Sequence, residues 1–122
     1  MNKEQALHQF WSQFGWNAYD MNTTPDDAPN NHITYNVQVD ALDEPVMLTA
    51  SLWDRSSSWE NITAKLHDIE AVLRIGDSVV YKLGNGYMRV MRGVPFAQRM
   101  SGEDDSVRCI YLNIIVEFLT AE

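Results

Sequence analysis

The stretch from Val46 to Leu73 limits the fold most tightly, because two different periodicities meet inside it. Apolar residues alternate with others from Val46 to Trp53, and this period of two is typical of a half-buried strand. After a short polar turn, apolar residues recur three or four positions apart, which places them on one face of a helix. These residues are Trp59, Ile62, Leu66, Ile69 and Leu73. The stretch therefore predicts a strand followed directly by an amphipathic helix from Ser58 to about Ile75.

Both ends of this helix carry recognisable signals. Ser57 and Glu60 have the Ser-x-x-Glu spacing of a capping box, in which each side chain satisfies a backbone N–H group at the helix start. Gly76 is the predicted C-terminal cap. Arg74 is then expected in the last turn, where a cation interacts favourably with the helix dipole.

The first half of the chain predicts one more helix and one more strand. The helix runs from Lys3 to about Gly15, and its aromatic stripe indicates packing on a sheet. Turn formers and two prolines predict a loop from Asn17 to Asn31. The alternation from His32 to Asp40 predicts a strand that forms an antiparallel hairpin with the strand Val46–Trp53, which is apolar enough to be internal in the sheet.

The second half predicts three strands. Segments 78–83 and 87–92 flank the sequence Gly84-Asn85-Gly86, which indicates a hairpin. A two-residue turn would place Lys82 opposite Arg89, whereas a three-residue turn would place Tyr81 opposite Arg89 in a cation–π contact. We favour the second register. A long loop is expected at residues 93–106, and a final strand at residues 107–119.

This order of elements is helix, two strands, helix, three strands. Segregated hairpins and two amphipathic helices predict an α+β fold, with a mainly antiparallel sheet covered on one face by the two helices. At 122 residues and 45% apolar content, the chain is expected to form a single domain over residues 1–122.

The net charge, the first residues and the lack of a long apolar run argue against some classes of function. The net charge of −8 opposes sequence-independent binding to nucleic acid, because an acidic surface repels phosphate. The first residues lack the features of a signal peptide, and no apolar run approaches the roughly 18 residues of a membrane span. We expect a soluble protein, made in a cytoplasm, with no membrane contact.

No pattern for catalysis, cofactor binding or metal binding stands out, so we do not expect an enzyme. Cys109 is the only cysteine, which leaves no disulfide and no cysteine-rich metal site, and no basic neighbour in sequence would lower its pKa. The three histidines lie far apart and belong to no metal motif. Three carboxylates could in principle serve hydrolysis, but nothing in the sequence brings them together. They are Asp54, Asp68 and Glu70.

The turn after the strand Val46–Trp53 is the main candidate for a contact surface. One interpretation is structural: Trp53 packs at the sheet edge, and Asp54 and Arg55 pair locally or bond the turn backbone. The other places Trp53, Asp54 and Arg55 at a subunit interface, where Trp and Arg are common among energetic hot spots. The two interpretations are compatible.

One region resembles a known family. The sequence Ile33-Thr34-Tyr35, and then Leu48-x-Ala50-Ser51-Leu52-Trp53-Asp54-Arg55-Ser56-x-Ser58-Trp59-Glu60 with its helix, is similar to the small tail terminator proteins of long-tailed bacteriophages. These are also called tail completion or minor tail proteins. The order of elements is similar over most of the chain, and the recognisable residues lie between Ile33 and Leu73.

The resemblance implies a structural virion protein made in the cytoplasm of a host bacterium. Family members form a homo-oligomeric ring, typically of six subunits, at the head-proximal end of the tail tube. There they end tail polymerisation and join the tail to the head connector. The implied partners are other copies of the chain, the tail tube protein and the head–tail connector protein. DNA passes through the lumen without specific binding, and an acidic lumen suits that passage.

Position within this fold suggests which residues make contacts. The long loop 93–106 and the hairpin 84–86 are expected to meet partners along the tail axis, and the turn 53–59 and the acidic face of the central helix to lie between subunits or near the lumen. The candidate interface residues are Trp53, Asp54, Arg55, Phe96, Arg99, Met100, Glu103, Asp104 and Asp105. A head–tail joining protein and a tail tube subunit are neighbouring alternatives, and a small cytoplasmic α+β binding module or enzyme is one of a different class.

Overall fold

Two helices and six strands make up the part of the chain that the computed structural model describes, which is residues 2–37, 45–100 and 106–120. The elements in chain order are α1 (Lys3–Ser12), β1 (Asn17–Asp20), β2 (Asn31–Tyr35), β3 (Val46–Asp54), α2 (Glu60–Val72), β4 (Val79–Leu83), β5 (Gly86–Met100) and β6 (Arg108–Thr120).

The strands form one curled sheet, a half-barrel, in the order β1-β2-β3-β6-β5-β4. Every neighbouring pair is antiparallel except β1 and β2, which are parallel. The α+β class and the mainly antiparallel sheet are therefore confirmed. The predicted hairpin of β2 and β3 is also confirmed, and β3 is internal in the sheet as expected, between β2 and β6.

The core lies between the helices and one face of the sheet. Alternation decides which side chains enter it, because successive residues of a strand point to opposite faces. The buried strand residues of the two central strands are Leu48, Ala50, Leu52, Ile110, Leu112, Ile114, Val116 and Phe118. From the helices, the fully buried residues are Ala6, Leu7, Phe10, Ile62 and Ile69, with Trp11 almost so. The predicted apolar faces of β3, β6 and both helices are thus confirmed, except that Trp59 and Leu66 of the α2 stripe are only partly buried.

Helix α1 begins with a capping box that was not predicted from the sequence. The Asn2 side chain accepts a hydrogen bond from the Gln5 N–H at 2.8 Å, and the Gln5 side chain accepts one from the Asn2 N–H at 2.9 Å. Two N–H groups of the first turn are thereby satisfied. Gly15, predicted as the helix stop, lies beyond the helix with a φ of 88°.

The predicted capping of α2 is wrong at both ends. The helix begins at Glu60 with Trp59 at its N-cap, and the Ser58 hydroxyl accepts the hydrogen bond from the Glu60 N–H at 3.1 Å. The Ser56 hydroxyl binds the Ser58 N–H in the same way, so successive serine turns replace the capping box. The helix ends at Val72. Gly76 has a φ of 83° in the following turn, and Arg74 also lies outside the helix.

The predicted loop Asn17–Asn31 contains a strand that was not predicted from the sequence. Residues Asn17–Asp20 form β1, which pairs in parallel with β2. The strand is short, and Ala18 is its one buried residue, so it has no apolar alternation that could have predicted it. Strand β2 ends at Tyr35, earlier than the predicted Asp40, and residues 38–40 lie outside the described part of the chain.

The predicted loop 93–106 is also wrong over most of its length. Strand β5 continues to Met100, with a shift in its register to β6 between Arg92 and Ala97. The bond between Val94 and Pro95 is cis and lies inside this bulge. Proline is tolerated at a bulge because the ladder hydrogen bond is already interrupted there. Residues 101–105 lie outside the described part of the chain.

Neither predicted register of the β4–β5 hairpin is correct. Leu83 pairs with Gly86, so the two-residue turn consists of Gly84 and Asn85. Arg89 therefore lies opposite Val80 on one side and opposite Glu117 on the other. Its guanidinium binds the Glu117 carboxylate at 2.7 Å, so a salt bridge to β6 replaces the expected contact with Tyr81.

Candidate interaction surface

Among residues 2–37, 45–100 and 106–120, both helices pack on one face of the sheet and neither packs on the other. We call this other face the uncovered face; it carries residues 47, 49, 51 and 53 of β3 and the odd-numbered residues 109–119 of β6, with their neighbours on β4 and β5. Five large apolar side chains on it are about half exposed: Met47 (48%), Val80 (55%), Tyr87 (50%), Met100 (45%) and Leu119 (50%). Exposed apolar area of this kind is typical of surfaces that bind other proteins.

Strand register brings some of these side chains into a row. Met47 pairs with Ile115, and Ile115 pairs with Met91, so three apolar residues cross β3, β6 and β5. The salt bridge between Arg89 and Glu117 lies in the next row of the same face. The uncovered face therefore carries a row of apolar side chains beside an ion pair, with polar residues such as Thr49, Ser51 and Asn113 on the same face.

Trp53 lies on the uncovered face in the middle of the sheet, and not at its edge as the structural interpretation expected. Its indole Nε1 donates a hydrogen bond to the Thr34 hydroxyl at 2.9 Å. Its ring stacks on His32 with a centroid distance of 6.3 Å and an angle of 17°. These two contacts hold the half-buried indole in a single orientation. Arg55 follows the strand and is exposed.

Asp54 points to the helix side and is only 3% exposed. One carboxylate oxygen, Oδ1, accepts a hydrogen bond from the Asn31 side chain at 2.6 Å, while Oδ2 is buried with no hydrogen-bond partner among the described residues. The register partner of Asp54 on β6 is Arg108. No ion pair joins Asp54 to Arg55 in the described part of the chain. The backbone N–H of Arg55 donates to the Asn30 carbonyl.

Two arginines lie against the indole of Trp59, at the start of α2. The guanidinium carbon of Arg99 is 4.5 Å from the ring centroid, and that of Arg108 is 5.2 Å away. Arg108 also donates to the Ser57 carbonyl at 2.7 Å, which fixes the turn before the helix. Trp59 was predicted as part of the core stripe, but it is only partly buried. This cluster joins residues far apart in sequence, so no local pattern could have indicated it.

Of the candidates on β5, Phe96 and Met100 have different surroundings. Phe96 was expected to be exposed, but it packs partly buried against the core, with the Arg92 guanidinium 4.8 Å from its ring. Arg92 is itself held by the carbonyls of Leu73 and Glu70. Met100 is exposed on the uncovered face, as expected. Glu103, Asp104 and Asp105 lie outside the described residues.

Two clefts open on this surface. The first, about 470 Å³, lies beside Trp53 and Asp54 under the loop 21–30. The second, about 560 Å³, lies beside the start of β4 at Val79, beyond which β5 has no described neighbour on that side. We call it the β5-edge cleft. Ile75 and Val94 line it with 84% and 85% of their surface exposed. Met91, Phe96 and Ile115 form its apolar floor.

The described residues form no candidate metal site. Among residues 2–37, 45–100 and 106–120, no three His, Cys, Asp or Glu side chains come together as a metal would require.

Burial raises the pKa of the Cys109 thiol above its ordinary value, although a hydrogen bond from Ser51 acts in the opposite direction. In the same ranges, neither helix has the length and apolar character needed to cross a membrane.

Comparison of the sequence with protein-family models and with curated proteins found no match.

Proposed function

We propose that this chain is a structural subunit of the tail terminator type. In this role it forms a homo-oligomeric ring at the head-proximal end of a phage tail tube, ends tail polymerisation and joins the tail to the head connector. The resemblance between Ile33 and Leu73 supplies the class of protein. Strand β3 and helix α2, which carry the resembling residues, also form the Trp53 and Trp59 sites.

The uncovered face is the observation that carries this proposal. An antiparallel sheet commonly leaves one face to solvent, and that face is then mainly polar. Here five large apolar side chains on that face are about half exposed, and the β5-edge cleft adds two more that are almost fully exposed. A subunit whose neighbours cover these surfaces in an assembly accounts for both features.

The net charge supports a position around DNA. A charge of −8 on each copy would give the lumen of a ring a negative potential, which repels phosphate. DNA would then pass along the lumen without adhering to the wall. The acidic residues Glu103, Asp104 and Asp105 belong to the connection between β5 and β6, and they remain candidates for contacts with partners along the tail axis.

The test combines assembly and particle composition. Purified protein is mixed with tail tubes and imaged by electron microscopy, and purified virions are examined by mass spectrometry. We expect rings at one end of the tubes, the chain in virions, and overlong or headless tails when the protein is missing. A protein that stays monomeric at every concentration and is absent from virions would contradict the proposal.

Head–tail joining is the neighbouring function, and the same experiment separates it. A connector-side protein would be found on heads, and its loss would leave unattached tails of normal length. A terminator is found on tails, and its loss changes tail length.

A small-molecule binding module is the second candidate, and the cleft beside Trp53 favours it. Its volume of about 470 Å³ falls within the range of ligand sites, and the buried Asp54 and stacked His32 line it. This alternative predicts a monomer whose thermal stability rises with a ligand, whereas the ring predicts stability that rises with protein concentration.

A further inference from the structure

The two ends of the sheet differ sharply in charge. Among the described residues, the range 17–55 contains four acidic side chains and one basic, whereas the range 74–100 contains five basic and one acidic. The first range supplies β1, β2 and β3, and the second supplies β4 and β5. Because the strand order is β1-β2-β3-β6-β5-β4, these two groups occupy opposite ends of the sheet. We call them the acidic end and the basic end.

The exposed charges without an ion pair are the ones that another molecule would meet, because Arg89 and Arg92 at the basic end already lie beside the carboxylates of Glu117 and Glu70. At the acidic end, Asp26 and Asp27 are exposed and form no ion pair with the described residues. At the basic end, Arg74 and Lys82 are exposed and likewise form no ion pair with the described residues.

Each end also presents backbone that no described strand pairs. At the acidic end this is the outer edge of β1. At the basic end it is the outer edge of β4, together with β5 from Met91 onwards, because β4 pairs only with Gly86–Val90. Unpaired edges of this kind readily accept another chain.

The apolar surfaces follow the same division. The β5-edge cleft lies at the basic end, with Ile75 and Val94 almost fully exposed at its mouth. The acidic end carries Met21, which is 50% exposed in the loop beside Asp26 and Asp27. Each end therefore combines a charge with an apolar group that a complementary surface would cover.

We infer that the acidic end of one copy docks onto the basic end of the next copy. The occupant of the basic end is thus a second copy of this chain, and the inference rests on the proposed ring. Two different patches meet in such a contact, so it is head-to-tail, and repetition closes a ring when the rotation between copies allows it. The opposite charges set the orientation, because reversed docking would bring like charges together.

Charge reversal at one end tests this contact. In the first variant, Arg74→Glu and Lys82→Glu replace the two exposed cations of the basic end with anions; in the second, Asp26→Lys and Asp27→Lys replace the two exposed anions of the acidic end with cations. All four side chains are exposed, so both variants are expected to fold, with thermal unfolding and circular dichroism close to wild type. We expect each variant alone to associate at least about tenfold more weakly in analytical ultracentrifugation.

Mixing the two variants gives the decisive measurement. Acidic ends then face basic ends again in alternating copies, so the mixture should recover assemblies that neither variant forms alone. Gln9→Glu, on the exposed side of α1, is the control for added negative charge and should associate like wild type. Raising the salt concentration should weaken wild-type association, because it screens exposed charges.

The outcomes separate this inference from the proposed function. If both variants form wild-type rings on tail tubes, or if the mixture recovers nothing, the head-to-tail contact is wrong while the ring stands. If wild-type protein forms no ring, the proposed function fails. Ile75→Ser with Val94→Ser tests the cleft separately: weaker association by a folded protein supports its burial between copies, and unchanged association removes the cleft from the contact.

Discussion

At the scale of single residues, Gly93 is the position where the fold tolerates no side chain. Strand β5 approaches β6 so closely at the bulge that a Cβ atom on Gly93 would lie 2.8 Å from both the Cβ and the carbonyl oxygen of Asn113. Backbone atoms cannot yield as a flexible side chain can. The bulge therefore depends on this glycine.

We predict that Gly93→Ala lowers the free energy of unfolding by roughly 1–3 kcal/mol, the usual cost of overpacking. Gly84→Ala is the matched control, because a Cβ atom there would meet nothing within 4 Å, and its effect should stay within about 0.5 kcal/mol. Urea unfolding measures both. Equal effects would mean that the close approach to Asn113 does not limit this position.

Sequence indicated which residues are buried, but not which partners they have. Asp54 continues the alternation of β3 onto the buried side, yet its contact with Asn31 depends on the pairing of β2 with β3. The two arginines on Trp59 come from β5 and β6, 40 or more positions along the chain. Such contacts depend on register, which a local pattern does not contain.

At the scale of elements, the start of α2 has the sequence motif of a capping box but does not form the hydrogen bonds of one. Ser57 and Glu60 have capping-box spacing, but the N–H of Glu60 binds the Ser58 hydroxyl. Arg108 holds the carbonyl of Ser57 from β6, so a tertiary contact sets the path of the turn.

We predict that Ser58→Ala lowers the free energy of unfolding by about 0.5–1 kcal/mol, because it removes a side-chain acceptor at the helix start. Ser57→Ala is the matched control and should change it by less than about 0.5 kcal/mol, since Ser57 is exposed and its side chain does not cap the helix. Thermal or urea unfolding of the two variants decides between the motif and the observed bonds. If Ser57→Ala lowers the free energy of unfolding more than Ser58→Ala does, the capping box of Ser57 and Glu60 is formed after all.

The strand segments that were not predicted from the sequence share one property. Strand β1 and the outer half of β5 have weak apolar alternation, and both lie where the sheet has an open edge. Edge strands need only one neighbour and bury little, so their sequences carry little of the pattern that identifies a central strand.

At the scale of the whole molecule, burial of three weak acids makes stability depend on alkaline pH. Burial raises the pKa of Tyr35 and of Tyr81 above the ordinary 10.0, and that of Cys109 above the ordinary 9.0. The charge of Asp20 raises the Tyr35 value further, whereas a hydrogen bond from Gln13 partly lowers the Tyr81 value.

The sign follows from proton binding. As pH rises through the ordinary values, the unfolded chain loses these protons before the folded chain does, so the free energy of unfolding falls. We predict a lower urea midpoint at about pH 10.5 than at about pH 8. Tyr35→Phe should reduce this difference, and Tyr87→Phe, which removes a half-exposed hydroxyl, serves as the control. A midpoint that does not fall would contradict the role of burial.

The sequence by itself determined the α+β class, the two helices, the hairpin of β2 and β3, and the core faces of β3, β6 and α2. These depend on periodicity, which each segment carries in its own residues. Tertiary structure alone decided the bulge in β5, the hairpin register, the parallel strand β1 and the cluster around Trp59. It also placed acidic and basic strands at opposite ends of one sheet, because β6, last in the chain, inserts between β3 and β5.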